Sequence, residues 1–101
     1  MKYQYLVLAL GFVFATASQS SIAAGNPAAG KTKSAACAMC HGPDGKGLGK
    51  TPRIVGLDAA AFSAKIADFK TGKRKNAMME NTAKKLSDED VADLAAFYSS
   101  L

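Results

Sequence analysis

Two cysteines and the chain's single histidine lie within five residues of one another. They form the run Cys37-Ala38-Met39-Cys40-His41, and the 101 residues contain no other cysteine or histidine. Two thiols at this spacing can each form a thioether bond with one vinyl group of a haem. A histidine directly after the second cysteine can then supply an axial nitrogen to the iron. The run therefore predicts one covalently attached haem c, with His41 as an iron ligand.

Other sites built from cysteine and histidine fit this run less well. A thioredoxin-like redox pair requires a strand before the motif, and no strand-like segment precedes Cys37. A structural zinc site requires four ligands, whereas Cys37, Cys40 and His41 provide three. A disulfide closing so short a loop would stabilise the fold very little. We therefore interpret the run as a haem attachment site.

The N-terminal segment is typical of a secretory signal peptide. Lys2 precedes an apolar run, residues 6–17, that is too short to span a bilayer as a helix. Small residues follow at the positions that a signal peptidase reads, so we expect cleavage after Ala23 and a periplasmic product. Cleavage after Ala24 and a retained membrane anchor are the alternatives. The predicted organisation is a cleaved signal peptide, 1–23, and one domain, 24–101.

The size and charge of this domain narrow its function further. A domain of about eighty residues buries little apolar surface, and a bound haem would supply much of the missing core. The formal net charge of the whole chain is +5, part of which leaves with Lys2. Ionised haem propionates would lower it again, so the remaining charge is too small to indicate nucleic-acid binding.

Helix and loop signals alternate along the domain, and no strand pattern occurs. Asn26 and Pro27 are typical of an N-cap and a first helical position. The helix that they open is expected to continue into Cys37. Residues 42–56 are rich in glycine, proline and lysine and have no apolar period, which predicts a loop.

Two further helices follow this loop. Asp58 is expected to cap a helix over residues 59–70, which ends at Gly72. Ser87 opens the last helix, and Asp90 completes a variant of the capping box. The apolar faces of these helices predict a core of Phe62, Ile66, Phe69, Val91, Leu94, Ala95, Tyr98 and Leu101.

A methionine sulfur is the obvious sixth ligand, because no second histidine exists. Met39 lies between the cysteines on the His41 side and cannot reach the opposite face of a haem. Met78 and Met79 remain. If their segment is helical, apolar residues share a face with Met79 and polar residues share a face with Met78. This periodicity favours Met79, while Met78 and an open sixth position stay as alternatives.

Several short segments of the domain match one known family. They are Cys40-His41-Gly42, the glycines at 45, 47 and 49, Thr51-Pro52-Arg53-Ile54-Val55-Gly56, Met79-x-x-x-Ala83-x-x-Leu86-Ser87 and Leu94-Ala95-Ala96-Phe97-Tyr98. On these residues the chain resembles the class I c-type cytochromes, close to cytochrome c-553 and to single domains of cytochrome c4. The resemblance implies an all-α fold in which short helices wrap around one covalently bound haem. It also selects Met79, because in this family the methionine seven residues before a Leu-Ser pair is the ligand.

The resemblance further implies specific roles for residues outside the haem motif. The Pro52 carbonyl would accept the Nδ1 proton of His41 and fix the tautomer of the ring. Ile54 would pack on the haem. Gly30 would allow the first and last helices to cross closely, with Phe97 packed against it.

These features predict a one-electron carrier, because histidine and methionine would leave no iron position for a substrate. We therefore expect no enzymatic activity. A haem enzyme or gas binder with an open site is one alternative, and a subunit of a larger oxidoreductase complex is another. We expect redox protein partners, no nucleic acid and no membrane span in the mature chain. Basic residues near the haem motif and the ligand segment favour acidic docking partners, although an ordinary solvated face is the alternative: Lys46, Lys50, Lys70, Lys73, Arg74 and Lys75.

Overall fold

The described part of the chain consists of short helices joined by loops. The computed structural model describes residues 25–101 together with Gly11, so the predicted signal peptide lies outside the described residues apart from that glycine. The elements of the described part are α1 (Pro27–Lys33), α2 (Ala35–His41), α3 (Ala59–Thr71), α4 (Ala77–Lys84) and α5 (Asp88–Ser99). The predicted all-α architecture is confirmed. Within this part of the chain, every helix is too short or too polar to cross a membrane.

The first predicted helix is divided into α1 and α2 at Ser34. The Asn26 side chain caps α1 as expected, accepting hydrogen bonds from the backbone of Ala28 and Ala29. At Ser34 the side-chain hydroxyl donates to the Lys31 carbonyl at 2.7 Å. A serine hydroxyl that bonds to nearby backbone competes with the regular helical pattern. The prediction of one uninterrupted helix into Cys37 is therefore wrong at this residue.

Helices α1 and α5 cross at very short range. A Cβ atom added to Gly30 would lie 2.0 Å from the Asp93 carbonyl oxygen and 2.7 Å from the Phe97 Cβ. Only a residue without a side chain fits there, so Gly30 has the role that the resemblance implied. This crossing fixes α1, which leads into the helix of the haem motif, against α5.

The core lies between α3 and α5, with a contribution from α4. Phe62 and Tyr98 stack with ring centroids 5.5 Å apart. Leu101 is 56% exposed, so its predicted place in the core is wrong. Helix α5 ends at Ser99, and Leu101 lies beyond its last turn. The buried apolar residues of the cluster are Phe62, Ile66, Ala83, Val91, Leu94, Ala95, Phe97 and Tyr98.

A charged network that the sequence did not reveal joins α1 to α5. Asp93 is 5% exposed. Its carboxylate accepts hydrogen bonds from the Asn26 backbone at 2.8 Å and from the Lys33 ammonium at 2.6 Å. Lys33 also lies 2.9 Å from a carboxylate oxygen of Asp90. The hydrogen bond from Lys33 is the main cause of the lowered pKa of Asp93, and the same group lowers the pKa of Asp90 to about 2.

This network predicts a loss of stability in acid. Folding lowers both carboxyl pKa values from their usual value of about 4, so the native state binds fewer protons than the unfolded chain below that pH. The contribution is complete above pH 4 and is lost as the pH falls towards 2. We expect the free energy of unfolding of Lys33→Met to depend less on pH over this range than that of the wild type. Denaturant titrations of both proteins at several pH values check this. If the free energy of unfolding changed equally with pH in the two proteins, the prediction would be contradicted.

Candidate haem-binding site

A cavity of about 480 Å³ opens between α2, the loop 42–56, α3 and α4. Its walls are mainly apolar, and one residue of α5 reaches it from the core. A mostly apolar cavity of this size is typical of a cofactor site. The apolar residues that line it include Ile54, Leu57, Phe62, Ile66, Phe69, Leu86 and Leu94.

Helix α2 places the haem motif at one edge of this cavity. Positions i, i+3 and i+4 share a face of a helix, so Cys37, Cys40 and His41 lie side by side. All three line the cavity. Cys37 is half-buried and packs against the core, Cys40 is exposed, and both are free thiols. Burial is the main reason why the pKa of the Cys37 thiol is raised.

The loop after α2 holds the imidazole of His41. His41 is 6% exposed, and its Nδ1 lies 2.7 Å from the Pro52 carbonyl oxygen. When Nδ1 carries the proton it donates to this carbonyl, and Nε2 keeps a lone pair for a metal. The loop is tied to α2 because the Gly47 backbone N–H donates to the His41 carbonyl at 2.7 Å. Gly47 has φ +94°, and a Cβ there would lie 2.6 Å from the Thr51 carbonyl oxygen.

Helix α4 brings the two neighbouring methionines to the cavity. It begins at Ala77, and the Asn76 side chain accepts a hydrogen bond from the Met79 backbone at 3.0 Å. Met79 is half-buried and packs against the core, whereas the Met78 side chain is 71% exposed. Both line the cavity. The helix therefore turns Met79 inward and Met78 outward, which is the register expected from the apolar period; ligation of iron by Met79 stays a prediction.

Basic side chains and no carboxylates occur among the residues that line the cavity. The cations are Lys50, Arg53, Lys65 and Arg74. Sequence reasoning pointed to Lys50 and Arg74 but missed the other two. Lys65 directly precedes the buried Ile66 and lies one turn after Phe62, so its position on α3 could have predicted that it lines the cavity. Arg53 lies in a loop whose path the sequence does not define.

Some of the lysines expected at a docking surface have other contacts. The Lys70 ammonium donates to the Leu86 carbonyl at 2.6 Å, and the side chain is half-buried. Lys46 lies 3.5 Å from a carboxylate oxygen of Asp44, and Lys73 lies 4.0 Å from one of Asp68. Arg74 lies over the Phe69 ring, 5.7 Å from its centroid. Lys70 stabilises the segment between α4 and α5 and is poorly placed to meet a partner.

The residues at this cavity fit a haem c. They provide two thiols for thioether bonds, an imidazole and a methionine sulfur for the iron, apolar walls for the ring, and cations for two propionates. The chemistry of this donor set matches the group that the sequence motif predicted, and every predicted site residue contributes to the same cavity: Cys37, Cys40, His41, Pro52, Ile54 and Met79.

Comparisons with known proteins give the same family. The family model described as "Cytochrome C oxidase, cbb3-type, subunit III" matches residues 24–97. Cytochrome c-554(548) of Halomonas halodenitrificans is 44% identical over 76% of this chain and 98% of that protein. The cytochrome subunit of sulfide dehydrogenase of Chlorobaculum tepidum is 32% identical over 95% of this chain and 90% of that protein.

A solved structure of cytochrome c4 from Acidithiobacillus ferrooxidans has the same fold. It superposes with a TM-score of 0.72 at 32% identity, covering 81% of this chain and 53% of that one. The chain thus spans about half of the cytochrome c4 chain. With a family match over most of the domain and a relative matched over nearly its whole length, this chain belongs to the c-type cytochromes, and its cofactor is a covalently bound haem c.

Proposed function

We propose that this protein is a monohaem c-type cytochrome that carries single electrons between redox partners in the periplasm. In this proposal Cys37 and Cys40 hold the haem, and His41 and Met79 are the axial ligands. The observation that carries it is the meeting of all four side chains at one cavity from two different helices, α2 and α4. A domain with a single Cys-x-x-Cys-His run offers attachment for one haem.

The residues of the site would tune the haem for electron transfer. The haem supplies a one-electron couple when bound. The Pro52 carbonyl orients His41 and raises the basicity of its ring by accepting a hydrogen bond from the Nδ1–H. The sulfur of Met79 and the apolar walls both favour the less charged ferrous state, which raises the potential. With both axial positions taken by side chains, a substrate would find no free coordination site, so the protein would act as a carrier and not as an enzyme.

Export to the periplasm is part of the same proposal. Residues 1–23 have the composition of a signal peptide, and the family match begins at residue 24. This supports a mature domain of residues 24–101.

A role as a subunit of a larger oxidoreductase complex is the second candidate. It is favoured by the sulfide dehydrogenase cytochrome subunit, which matches 95% of this chain. Purification from the source organism under native conditions separates the two candidates. A free carrier elutes at the mass of one domain, whereas a subunit elutes with a dehydrogenase partner.

A potentiometric titration tests the carrier function directly. We expect one reversible wave that fits a single-electron couple, because one haem with two protein ligands has one redox transition in the accessible range. Optical spectra recorded at each potential check this. Two waves, or turnover of peroxide by the purified protein, would contradict a monohaem carrier.

Docking of an acidic partner is expected at the basic edge of the cavity. Cations at a docking surface accelerate encounter, and salt reduces the effect as the Debye length falls from about 30 Å at 0.01 M to about 10 Å at 0.1 M. Stopped-flow electron transfer to an acidic redox protein should therefore slow with salt. Lys50→Glu with Lys65→Glu should slow it at low salt and flatten the salt dependence.

The matched control for this docking prediction is a charge reversal away from the cavity. Lys31 is exposed on α1 and does not line the cavity. Lys31→Glu and Lys50→Glu, made as separate variants, change the net charge of the protein by the same amount, so their effects on the electron-transfer rate can be compared directly. Equal effects of the two variants would mean that net charge acts without a localised docking surface.

A further inference from the structure

Tyr98 carries a polar group that core packing does not explain. Its side chain is fully buried on α5, and its ring stacks on Phe62. It also contacts the Phe97 ring at a centroid distance of 5.0 Å. A phenylalanine would make the same ring contacts. The hydroxyl, however, is buried without a hydrogen-bond partner among the described residues, and buried polar atoms in native proteins are nearly always paired.

The surroundings of this hydroxyl leave it little freedom. The polar groups near it include the Cys37 sulfur and the Ser34 hydroxyl. The proton of Ser34 is already donated to the Lys31 carbonyl at 2.7 Å. On another side the loop packs directly on the ring, because a Cβ at Gly45 would lie 2.8 Å from Tyr98 Cε1. The ring is therefore held in place with its hydroxyl beside the first cysteine of the haem motif.

Attachment of a haem would change what the Cys37 sulfur can do. If the thiol adds to a vinyl group, its S–H bond and the vinyl π bond would break, a carbon–sulfur bond would form at one vinyl carbon, and the hydrogen would move to the other, with no net oxidation or reduction. The sulfur then has no proton and acts only as an acceptor. The Tyr98 hydroxyl is a donor that lacks a partner, so the two groups become complementary once the haem is attached.

We propose that Tyr98 is a positioning residue for the haem, and that its hydroxyl donates a hydrogen bond to the thioether sulfur at Cys37. The inference rests on the proposed attachment at Cys37. The proposed hydrogen bond connects α5 to the haem-bearing cysteine of α2 and restrains the sulfur that carries one edge of the haem. A donor next to that sulfur withdraws electron density from the haem and favours the ferrous state. Tyr98 thereby raises the potential as well as completing its own hydrogen bonding.

Proton NMR of the ferrous wild-type holoprotein tests the contact without any substitution. A hydrogen-bonded, buried hydroxyl exchanges slowly with water, so we expect a resolved Tyr98 hydroxyl resonance. It should show a nuclear Overhauser effect to the thioether group at Cys37. A hydroxyl that exchanges rapidly, or that shows no such effect, would overturn the proposal.

Two variants then distinguish the Cys37 sulfur from Ser34 as the hydrogen-bond acceptor of the Tyr98 hydroxyl. We expect holo Tyr98→Phe to attach haem and keep its axial ligands, with a lower potential and a shifted carbon–sulfur stretch in the resonance Raman spectrum. Ser34→Ala should leave both readouts, and the hydroxyl resonance, unchanged. The proposal fails if Tyr98→Phe keeps the wild-type potential and Raman spectrum, or if Ser34→Ala removes the hydroxyl resonance. A wild-type protein that binds haem without a covalent bond at Cys37 would instead refute the proposed attachment.

Discussion

Replacing both cysteines of the haem motif, Cys37→Ser with Cys40→Ser, is expected to abolish folded holoprotein. The cavity of about 480 Å³ would lose the group that fills it. Its apolar walls would then face water instead of the haem, and burial of apolar surface is the main term that stabilises a small domain. The whole stability of such a domain is only about 5–15 kcal/mol. The variant should therefore lack both the haem absorbance and a cooperative unfolding transition.

The control for the cysteine variant lies between the two cysteines. Met39 is 83% exposed, so Met39→Ala changes the motif without changing attachment or core. It should yield normal holoprotein. Extraction of the wild type with acid and acetone should leave the haem on the polypeptide. Haem released into the organic phase, or a double cysteine variant that folds with haem bound, would contradict the covalent site.

Removal of the Met79 sulfur by Met79→Ala is expected to have the second largest effect. The ferric protein should lose the far-red band that arises from sulfur ligation. Axial ligands set haem potentials over a range of about 0.8 V, so the potential should fall by on the order of 0.1 V or more. Optical spectra and a potentiometric titration of the variant check both effects.

The neighbouring methionine is the natural control for this experiment. Met78 also lines the cavity, but its side chain is 71% exposed. Met78→Ala should keep the far-red band and the potential. If Met78→Ala lost the band and Met79→Ala kept it, the helical register proposed for the ligand would be off by one residue.

Local signals made the helices and the site predictable from the sequence. The capping side chains of Asn26, Asp58 and Ser87 accept hydrogen bonds from backbone N–H groups within three residues. The neighbouring sequence is therefore enough to predict where these helices begin. The capping box at Ser87 and Asp90 is confirmed with hydrogen bonds of 3.0 Å in both directions. The inward position of Met79 followed from the apolar residues four and seven positions later, Ala83 on α4 and Leu86 just beyond its C-terminus.

Features that depend on distant contacts were not predictable in the same way. The local pattern did not single out Asp93, yet Asp93 is buried because Lys33 and the Asn26 backbone, 60 and 67 residues away, satisfy its carboxylate. Lys70 was predicted to lie at the docking surface, but its ammonium donates a hydrogen bond to the Leu86 carbonyl. Leu101 continued the apolar period, but the helix ended before it. In each case a tertiary contact or a helix end overrode the local pattern.

Addition of carbon monoxide to the reduced holoprotein tests the central claim most directly, because it asks whether both axial positions are held by the protein. In the proposed function, His41 and Met79 together would leave no free position on the iron. The optical spectrum of the ferrous wild type at neutral pH should therefore not change with carbon monoxide, whereas that of Met79→Ala should. Stoichiometric binding of carbon monoxide by the wild type would contradict a closed electron-transfer site.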